Sequence, residues 1–239
     1  MKLVVVVPAY NAERFLPGLV QRLVTAQPPG LFRIVIVDDG STDGTAQAAR
    51  DLARSMANLE VVVRPTNGGY GAAMKDGLAV ARLLDADRVA GVHADGQYSP
   101  EVLADLLAAL DRQGLDLLQG SRIAGGHAVA GGMPLYKYAG NWALGKIERW
   151  ALALPMTDFH SGYLVYGRRA LDRIPFARLS NSFDFDLEAI ATARARGLAV
   201  GESPIPTHYG DEVSYLNPFT YGLRVLRVLW RFKRGDYGA

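Results

Sequence analysis

The chain has 239 residues, of which 49% are hydrophobic, so it can bury the core of one domain of ordinary size. A net charge of +2 is too small to indicate nucleic-acid binding through bulk electrostatics, and the 0 cysteines exclude disulfide frameworks and thiolate metal sites. The apolar segment Leu3–Val7 is too short for a signal-peptide core, and no uninterrupted apolar run reaches the roughly 18 residues that span a bilayer, so we expect a protein that is soluble or surface-bound. The lack of cysteine suits a reducing cytosol, and we expect a cytoplasmic protein, peripheral at the cytoplasmic membrane face.

The first half of the chain alternates strand-like and helix-like segments. β-Branched runs predict strands at Leu3–Val7, Arg33–Val37, Leu59–Val63, Arg88–Val92 and Leu115–Gln119. Apolar residues at helical spacing predict helices at Glu13–Ala26, Thr42–Ala57, Tyr70–Leu84 and Pro100–Arg112. This alternation with short links predicts an α/β fold, a mostly parallel, Rossmann-like sheet with helices on both faces.

The pattern changes after Gly120. Helical periods predict helices at Leu135–Leu154, Phe183–Arg196 and Phe219–Lys233, and short apolar runs predict strands at Gly162–Tyr166 and Ala199–Ile205. No internal repeat is present. We therefore expect a single domain whose second half builds the substrate side.

Two adjacent carboxylates, Asp38 and Asp39, follow the second predicted strand, and the segment Pro8–Asn11 ends the first. Ligands of open α/β sheets bind at such strand ends. This arrangement indicates a nucleobase and ribose pocket in which Asp39 accepts from a base N–H and Tyr10 flanks the ring. The alternative is that both aspartates only cap the next helix, although one cap residue suffices and adjacent carboxylates repel.

A glycine-rich turn, Asn67–Ala73, opens the third predicted helix. Glycine permits close backbone approach, and a helix N-terminus attracts phosphate. Glycine-rich turns before helices are common without any ligand, so this signal is weak by itself.

The fourth predicted strand ends in His93–Gln97. On an extended segment His93, Asp95 and Gln97 face one way, which fits a divalent ion whose shell is completed by substrate phosphates. The alternative is that His93 is a hydrogen-bonded histidine at the strand end and that only Asp95 contacts metal.

In this order, Pro8–Asn11, Asp38–Ser41, the Asn67–Gly71 turn and the Asp95 element resemble the family 2 glycosyltransferases of the GT-A fold. Gly120–Arg122 and Asp158–Tyr163 are similar to the subgroup of dolichyl- and polyprenyl-phosphate sugar synthases. The resemblance implies a hexosyltransferase with a nucleotide-sugar donor, Mg²⁺ or Mn²⁺, and a lipid-phosphate acceptor at the membrane. It also implies inversion by direct displacement.

The resemblance further implies roles for individual residues. The catalytic residues are expected to be Asp95, Asp158 and Arg122. Donor binding is expected from Pro8, Ala9, Tyr10, Glu13, Asp38, Asp39, Asn67, Gly68, Gly71, Lys75, Ala94 and Asp95. The metal ligands are expected to be Asp95, Gln97 and His93. The acceptor and diphosphate are expected to contact Ser121, Arg122, Ser161, His208 and Ser214, the last two in a polar segment that resembles the C-terminal flap of the subgroup or is a plain surface loop.

Two positions depart from the family pattern. His93 stands where the family has the first acid of Asp-x-Asp, and imidazole is a softer ligand that favours Mn²⁺ or stays outside the metal's shell. Leu164 follows the Ser-Gly-aromatic element where relatives often have arginine. Arg122, Arg168 and Arg169 are the candidates that replace it in phosphate recognition.

The acceptor decides which chemistry the protein must supply. A phosphate monoester is anionic at neutral pH and needs no strong base, whereas a hydroxyl needs one, for which Asp158 is the candidate. With a phosphate acceptor, Asp158 orients the sugar or a neighbouring cation, or it serves only as a strand cap or salt bridge. A family 2 enzyme with a glycan or glycolipid hydroxyl acceptor is thus the alternative function. A catalytically silent nucleotide-sugar-binding protein is a third.

The last predicted helix has a basic stripe, Arg224, Arg227, Arg231 and Arg234, beside apolar residues. This pattern resembles an interfacial helix on anionic lipid. The alternative is a helix packed on the domain with a solvated arginine edge. The helix Leu135–Leu154 is a candidate companion at the membrane, or its aromatics serve as core or dimer contacts, so a homo-oligomer is open. We expect residues 1–217 to form the GT-A domain, with donor half 1–120 and acceptor half 121–217, and residues 218–239 to form the basic helix and tail.

Overall fold

The structure, a computed structural model, describes residues 1–96, 98–126, 135–206 and 218–238, and for residues 135–139 and 218–219 only the backbone. The strands are β1 (Leu3–Ala9), β2 (Leu31–Asp38), β3 (Leu59–Val63), β4 (Arg88–Gly91), β5 (Leu117–Ser121), β6 (Leu164–Gly167) and β7 (Val200–Pro204). The α-helices are α1 (Leu16–Ala26), α2 (Thr45–Ser55), α3 (Tyr70–Leu83), α4 (Leu103–Arg112), α5 (Leu135–Leu152), α6 (Arg168–Arg173), α7 (Phe185–Ala195) and α8 (Pro218–Lys233). Short 3₁₀ helices at Pro100–Val102 and Phe176–Arg178 precede α4 and follow α6.

The strands form one seven-stranded sheet in the order β3-β2-β1-β4-β6-β5-β7. Every pairing is parallel except those of β6, which runs antiparallel to β4 and β5. The mostly parallel sheet predicted from the sequence is therefore confirmed. Helix α1 begins at Leu16, later than the predicted Glu13, because Asn11–Phe15 form a bend and turns at the end of β1.

The central strands are buried on both faces, as their continuous apolar runs predict. Val4 and Val6 of β1 pack into one hydrophobic cluster with the inward faces of α3 and α7. Val5 and Val7 point the other way, into a second cluster with α1 and α4. This two-residue alternation fixes the register, since a slip of one position would exchange the faces.

The register places one set of loops at one edge of the sheet. Ala9 pairs with Asp38, and Val6 pairs with Gly91, so the loops after β1, β2 and β4 leave the sheet together. Because β6 is antiparallel, its start at Leu164 lies at this same edge, and its end, Gly167, pairs with Arg88 at the opposite edge. We call the edge after β1, β2 and β4 the carboxyl edge.

None of the helices in the described ranges combines the length and the apolar composition needed to cross a bilayer.

Candidate active site

The loops after β1 and β2 are tied to each other at the carboxyl edge. The N–H of Asn11 donates to Ser41 Oγ at 2.9 Å, and Asn11 Oδ1 accepts from the N–H of Thr42 at 2.9 Å. Glu13 Oε2 accepts from the N–H of Gly44 at 3.0 Å. The predicted donor residue Glu13 thus holds the two loops in place. Pro8 and Ala9 end β1, and Tyr10 follows them and is 38% exposed.

Asp39 fastens the glycine-rich turn to the end of β2. Its Oδ1 accepts from the N–H of Gly68 at 2.9 Å, and its Oδ2 accepts from the N–H of Gly69 at 2.8 Å. Arg64 Nε lies 2.9 Å from Oδ1. Asp39 and the neighbouring Asp38 are both buried. Neither caps α2, whose first residue is preceded by Gly44 without a side-chain cap.

The glycines of the turn are needed by protein contacts. Gly69 has φ of 95°, and a Cβ on Gly69 or Gly71 would overlap the carbonyl oxygens of Asn181 and Ser180 respectively. Asn67 Oδ1 accepts from the N–H of Gly69 at 3.0 Å. The N–H groups of Gly68 and Gly69 donate to Asp39 and Asn67, so these first donors of the turn stabilise the fold.

Lys75, a predicted donor-binding residue on α3, also contacts the segment before α7. Its Nζ donates to the carbonyl oxygen of Leu179 at 2.7 Å and to Asn181 Oδ1 at 2.6 Å. Burial lowers the pKa of Lys75 from its usual value. In this structure Lys75 joins α3 to the segment that packs on the glycine turn.

His93 and Asp95 leave β4 in different surroundings. The ring of His93 packs against Tyr70 and Tyr98, with centroid distances of 5.0 and 5.3 Å. Burial lowers the pKa of His93, although the charge of Asp95 opposes this shift. Among the described atoms His93 Nε2 has no well-aligned hydrogen bond, and it faces Gly162, whose backbone raises the pKa of His93 and on which a Cβ would lie 2.5 Å away. Asp95 is partly exposed, and Gln97 lies outside the described residues.

Arg122 and Asp158 form a buried, bidentate ion pair on the loops after β5 and before β6. Arg122 Nε donates to Asp158 Oδ2 at 2.8 Å, and Arg122 Nη2 donates to Oδ1 at 3.0 Å. The backbone N–H groups of Arg122 and His160 donate to the same two oxygens at 3.1 and 2.9 Å. Burial alone would raise the pKa of Asp158, but the charge and hydrogen bonds of Arg122 outweigh burial and hold it below its usual value.

Glu202 of β7 holds the loop that carries Asp158 through backbone hydrogen bonds. Its carboxylate accepts from the N–H of Thr157 at 2.8 Å and from the N–H of Asp158 at 3.2 Å. The hydroxyls of Thr157 and Ser121 lie 3.0 Å apart. The loop that carries Asp158 is therefore anchored to two strands of the sheet.

His160 links the same loop to two helices. Its Nδ1 lies 2.9 Å from the hydroxyl of Tyr221 on α8, and its Nε2 lies 2.9 Å from Glu148 Oε2 on α5, without the alignment of a linear hydrogen bond. Burial raises the pKa of Glu148, and the neighbouring His160 opposes the shift. The backbone of His160 holds Asp158 while its ring contacts α5 and α8.

Comparison with known proteins assigns the chain to a family. The sequence pattern of the family described as "Glycosyl transferase family 2" matches residues 4–174. The chain belongs to this family. It is therefore a glycosyltransferase, and the resemblance predicted from the sequence is confirmed.

Two relatives illustrate the breadth of the similarity. Over 203 residues the glycosyltransferase is 32% identical to polyprenol monophosphomannose synthase from Mycolicibacterium smegmatis. This alignment covers 84% of this chain and 75% of the relative. Over 218 residues it is 29% identical to UDP-N-acetylglucosamine–dolichyl-phosphate N-acetylglucosaminyltransferase from Methanococcus voltae, which covers 86% of this chain and 85% of the relative.

Among solved structures, glucosyl-3-phosphoglycerate synthase from Mycobacterium tuberculosis, in complex with Mn²⁺, UDP and phosphoglyceric acid, superimposes with a TM-score of 0.69. The match covers 97% of this chain and 78% of that chain at 15% identity. This similarity supports the fold of the glycosyltransferase, which is of the predicted GT-A type.

Several predicted site residues of the glycosyltransferase have structural contacts in the acceptor half. Ser121 Oγ accepts from the N–H of Ala124 at 3.0 Å, and Ser161 Oγ accepts from the N–H of Tyr163 at 3.2 Å and from the amide of Gln119. His208 and Ser214 lie outside the described residues.

The three arginines that could replace an arginine at position 164 lie at two different edges of the sheet. Arg168 and Arg169 follow the end of β6, at the edge opposite the carboxyl edge, where they pair with Asp85 and Asp116 at 2.6 and 3.2 Å. Arg122 is the candidate that lies at the carboxyl edge.

Asp186 on α7 is a buried site-facing carboxyl that the sequence analysis missed. The hydroxyl of Tyr70 donates to its Oδ2 at 2.9 Å, and its Oδ1 has no partner among the described atoms. Burial raises the pKa of Asp186 to about 7, although the bond from Tyr70 opposes the shift. An acid between Phe185 and Leu187 on an apolar helix was the available signal.

The arginine stripe of α8 lies partly against α7. Arg224 Nη1 lies 3.3 Å from Asp184 Oδ1, and Arg231 pairs with the buried Glu188. Beside the stripe, large apolar side chains are exposed: Leu223 at 54%, Leu226 at 48% and Trp230 at 58%. Arg234 Nε also lies 3.7 Å from Asp236 Oδ1, so the structure places three of the four predicted lipid-contacting arginines in ion pairs within the chain.

Proposed function

We propose that this glycosyltransferase moves a hexose from a nucleotide-diphosphate sugar to the phosphate of a polyprenyl phosphate. The names of both relatives, a polyprenol monophosphomannose synthase and a dolichyl-phosphate N-acetylglucosaminyltransferase, support this acceptor class. The observation that carries the proposal is that the carboxylate of Asp158 is fully hydrogen-bonded and has a lowered pKa.

A hydroxyl acceptor needs a general base, and Asp158 is poorly suited to be one. A carboxylate has about four acceptor positions, and four N–H groups from Arg122 and His160 occupy them. The pKa of Asp158 is held below its usual value, which weakens it as a base further. A phosphate monoester is already anionic at neutral pH, so it attacks without a strong base. Asp158 then acts through Arg122, whose guanidinium it orients toward the anionic reactants.

A divalent ion, Mg²⁺ or Mn²⁺, belongs to this proposal. Among the described residues no three His, Cys, Asp or Glu side chains form a metal-binding group. A site with a single protein carboxylate still fits Mg²⁺ or Mn²⁺, since Mg²⁺ is commonly held by one or two carboxylates together with substrate phosphates. Asp95, partly exposed at the carboxyl edge, would hold the ion, with His93 and Gln97 as predicted further ligands. The ion would neutralise charge on the leaving diphosphate.

The donor is expected at the carboxyl edge of β1, β2 and β4. Tyr10 would flank the base, while Asp38 and Asp39 would face the base and ribose. Inversion by direct displacement, implied by the family, requires the acceptor phosphate to approach opposite the leaving diphosphate. Arg122 and Ser161, at the same edge, would contact the acceptor phosphate on this side of the sugar.

We also propose that the enzyme lies on the cytoplasmic face of a membrane through α5 and α8. Trp142 and Trp150 of α5 are 50% and 76% exposed, next to the exposed apolar residues of α8. Lys146, Lys233 and Arg234 lie over the rings of Trp142, Trp150 and Trp230 at 3.7, 4.8 and 4.5 Å. Tryptophan with flanking cations is typical of membrane interfaces, where a polyprenyl lipid would be met.

A matched pair of acceptors tests the proposal. Polyprenyl phosphate and the polyprenol of equal chain length are incubated with labelled GDP- and UDP-sugars and Mg²⁺ or Mn²⁺. We expect transfer to the phosphate alone. Comparable transfer to the alcohol would favour the hydroxyl-acceptor alternative, and metal-dependent donor hydrolysis would exclude a silent binding protein.

A double-mutant cycle tests the role of Asp158. If Asp158 acts only through Arg122, the variant Arg122→Gln/Asp158→Asn should transfer no more slowly than Arg122→Gln alone. A further large loss in the double variant would show that Asp158 has its own part in the reaction.

A further inference from the structure

A cavity of about 380 Å³ lies between α7 and α8 and the segment before α7. Four arginines line it, Arg178, Arg224, Arg227 and Arg231, against two carboxylates, Asp184 and Glu188. The expected catalytic residues Asp95, Arg122 and Asp158 are not among the described residues that line this cavity, although Lys75 donates to the carbonyl oxygen of its lining residue Leu179.

Both carboxylates of the cavity are engaged with partners. Asp184 Oδ1 accepts from Ser180 Oγ at 2.7 Å and lies 3.3 Å from Arg224 Nη1. Glu188 accepts from the hydroxyl of Tyr237 at 2.6 Å and pairs with Arg231. Their charges are thus balanced by two of the four arginines.

The side chains of the other two arginines, Arg178 and Arg227, have no ion pair or hydrogen bond in the part of the chain that the structure describes. Both are exposed, one on the 3₁₀ helix before α7 and one on α8. The cavity is therefore lined by two guanidiniums without an ion-pair partner among the described residues, and they come from two different elements. Planar guanidinium groups bind phosphate oxygens with paired N–H bonds, so this arrangement favours an anionic phosphate.

The position of the cavity indicates the source of that phosphate. Arg227 lies on α8 one helical turn from the exposed Leu223 and Trp230. An apolar face in the acyl boundary would hold this side of α8 at the depth of lipid headgroups. We propose that the cavity binds the phosphate headgroup of an anionic glycerophospholipid. This proposal rests on the membrane attachment proposed above and adds a specific headgroup site to it.

The test compares the full chain with Arg178→Gln/Arg227→Gln and with a matched control, Arg50→Gln/Arg112→Gln. The control removes the same charge from exposed arginines of α2 and α4. Binding is measured by co-sedimentation with phosphatidylcholine vesicles, with and without phosphatidic acid. We expect the cavity variant to bind phosphatidic acid vesicles about thirty-fold more weakly, and the control to lose at most a few-fold.

Glycerol 3-phosphate, the soluble counterpart of the headgroup, separates lipid from free phosphate. Tight binding of glycerol 3-phosphate that the cavity variant loses, with vesicle binding unchanged, would overturn the lipid assignment. Equal losses in the two double variants would reduce the effect to net charge and overturn the site.

Transfer to a short, water-soluble polyprenyl phosphate analogue is measured in parallel and should be equal in all three proteins. If wild type fails to transfer, the proposed acceptor is wrong, while the vesicle comparison still decides whether the cavity binds headgroups.

Discussion

Replacing Asp186 with asparagine should make the protein more stable at neutral and alkaline pH. Asp186 is buried, and its pKa is raised to about 7 because burial disfavours the carboxylate. In the unfolded chain the pKa of an aspartate is about 3.9. The folded state therefore holds the proton more tightly than the unfolded state. The stability this provides is fully present below about pH 4 and is lost as the pH rises through about 7.

The size of the effect follows from the two pKa values. Each pH unit between them costs the wild type about 1.4 kcal/mol relative to a neutral side chain, which gives about 1.5 kcal/mol at pH 5 and about 4 kcal/mol at pH 8. Asparagine cannot ionise, and its carbonyl oxygen can accept the hydrogen bond that Tyr70 donates at 2.9 Å. An unpaired amide N–H would cost about 1–3 kcal/mol, but equally at both pH values.

Urea unfolding of wild type and Asp186→Asn at pH 5 and pH 8 measures the effect. The difference between the two proteins should shift in favour of the variant by roughly 3 kcal/mol from pH 5 to pH 8. Comparing variant with wild type at each pH cancels the titration of groups that both share. A difference that stays constant would show that Asp186 is ionised in the folded protein throughout, and would refute the reasoning from burial.

Three further substitutions test the site. Asp95→Ala should abolish transfer and leave the urea midpoint unchanged, because a partly exposed carboxylate contributes little packing; wild-type turnover would refute the metal assignment. Asp39→Ala should raise the KM for the donor more than it lowers kcat and should destabilise the fold by about 2 kcal/mol, because two backbone N–H groups lose their acceptor. An unchanged KM with a large loss in kcat would contradict the base contact. Gly162→Ala should destabilise the fold by about 1–3 kcal/mol more than the control Gly114→Ala, because both glycines have positive φ but only a Cβ at Gly162 meets His93; equal midpoint shifts would exclude the clash.

The donor side of the fold could be predicted from the sequence because its signals are local. A buried β-branched strand that ends in Asp38 and Asp39 fixes both the strand and the position of the carboxylates at its end. Parallel pairing then brings the ends of β1, β2 and β4 to one edge. The hydrogen-bond partners of these carboxylates could not be predicted from the sequence. Asp39, for example, accepts from the glycine turn 29 residues away along the chain.

The acceptor side depends on contacts between distant segments, so local patterns were weaker there. Asp158 pairs with Arg122 across 36 residues, and Glu202 supports the same loop from β7. Neither pairing has a spacing that a sequence motif could reveal. The antiparallel direction of β6, which places Ser161 at the site and Arg168 at the opposite edge, is likewise a property of the sheet.

Helix α8 shows the limit of periodicity most clearly. Steps of three and four predict that Arg224, Arg227 and Arg231 share a stripe, and a stripe can face lipid, solvent or another helix. In the structure, Asp184, directly before α7, and Glu188 of α7 form ion pairs with Arg224 and Arg231, so these two arginines face α7. Desolvating a carboxylate without a cation is costly, so the buried Glu188 requires Arg231 for the fold. The stripe is thus divided between stability and surface chemistry, and only Arg227 of these three remains for an external anion.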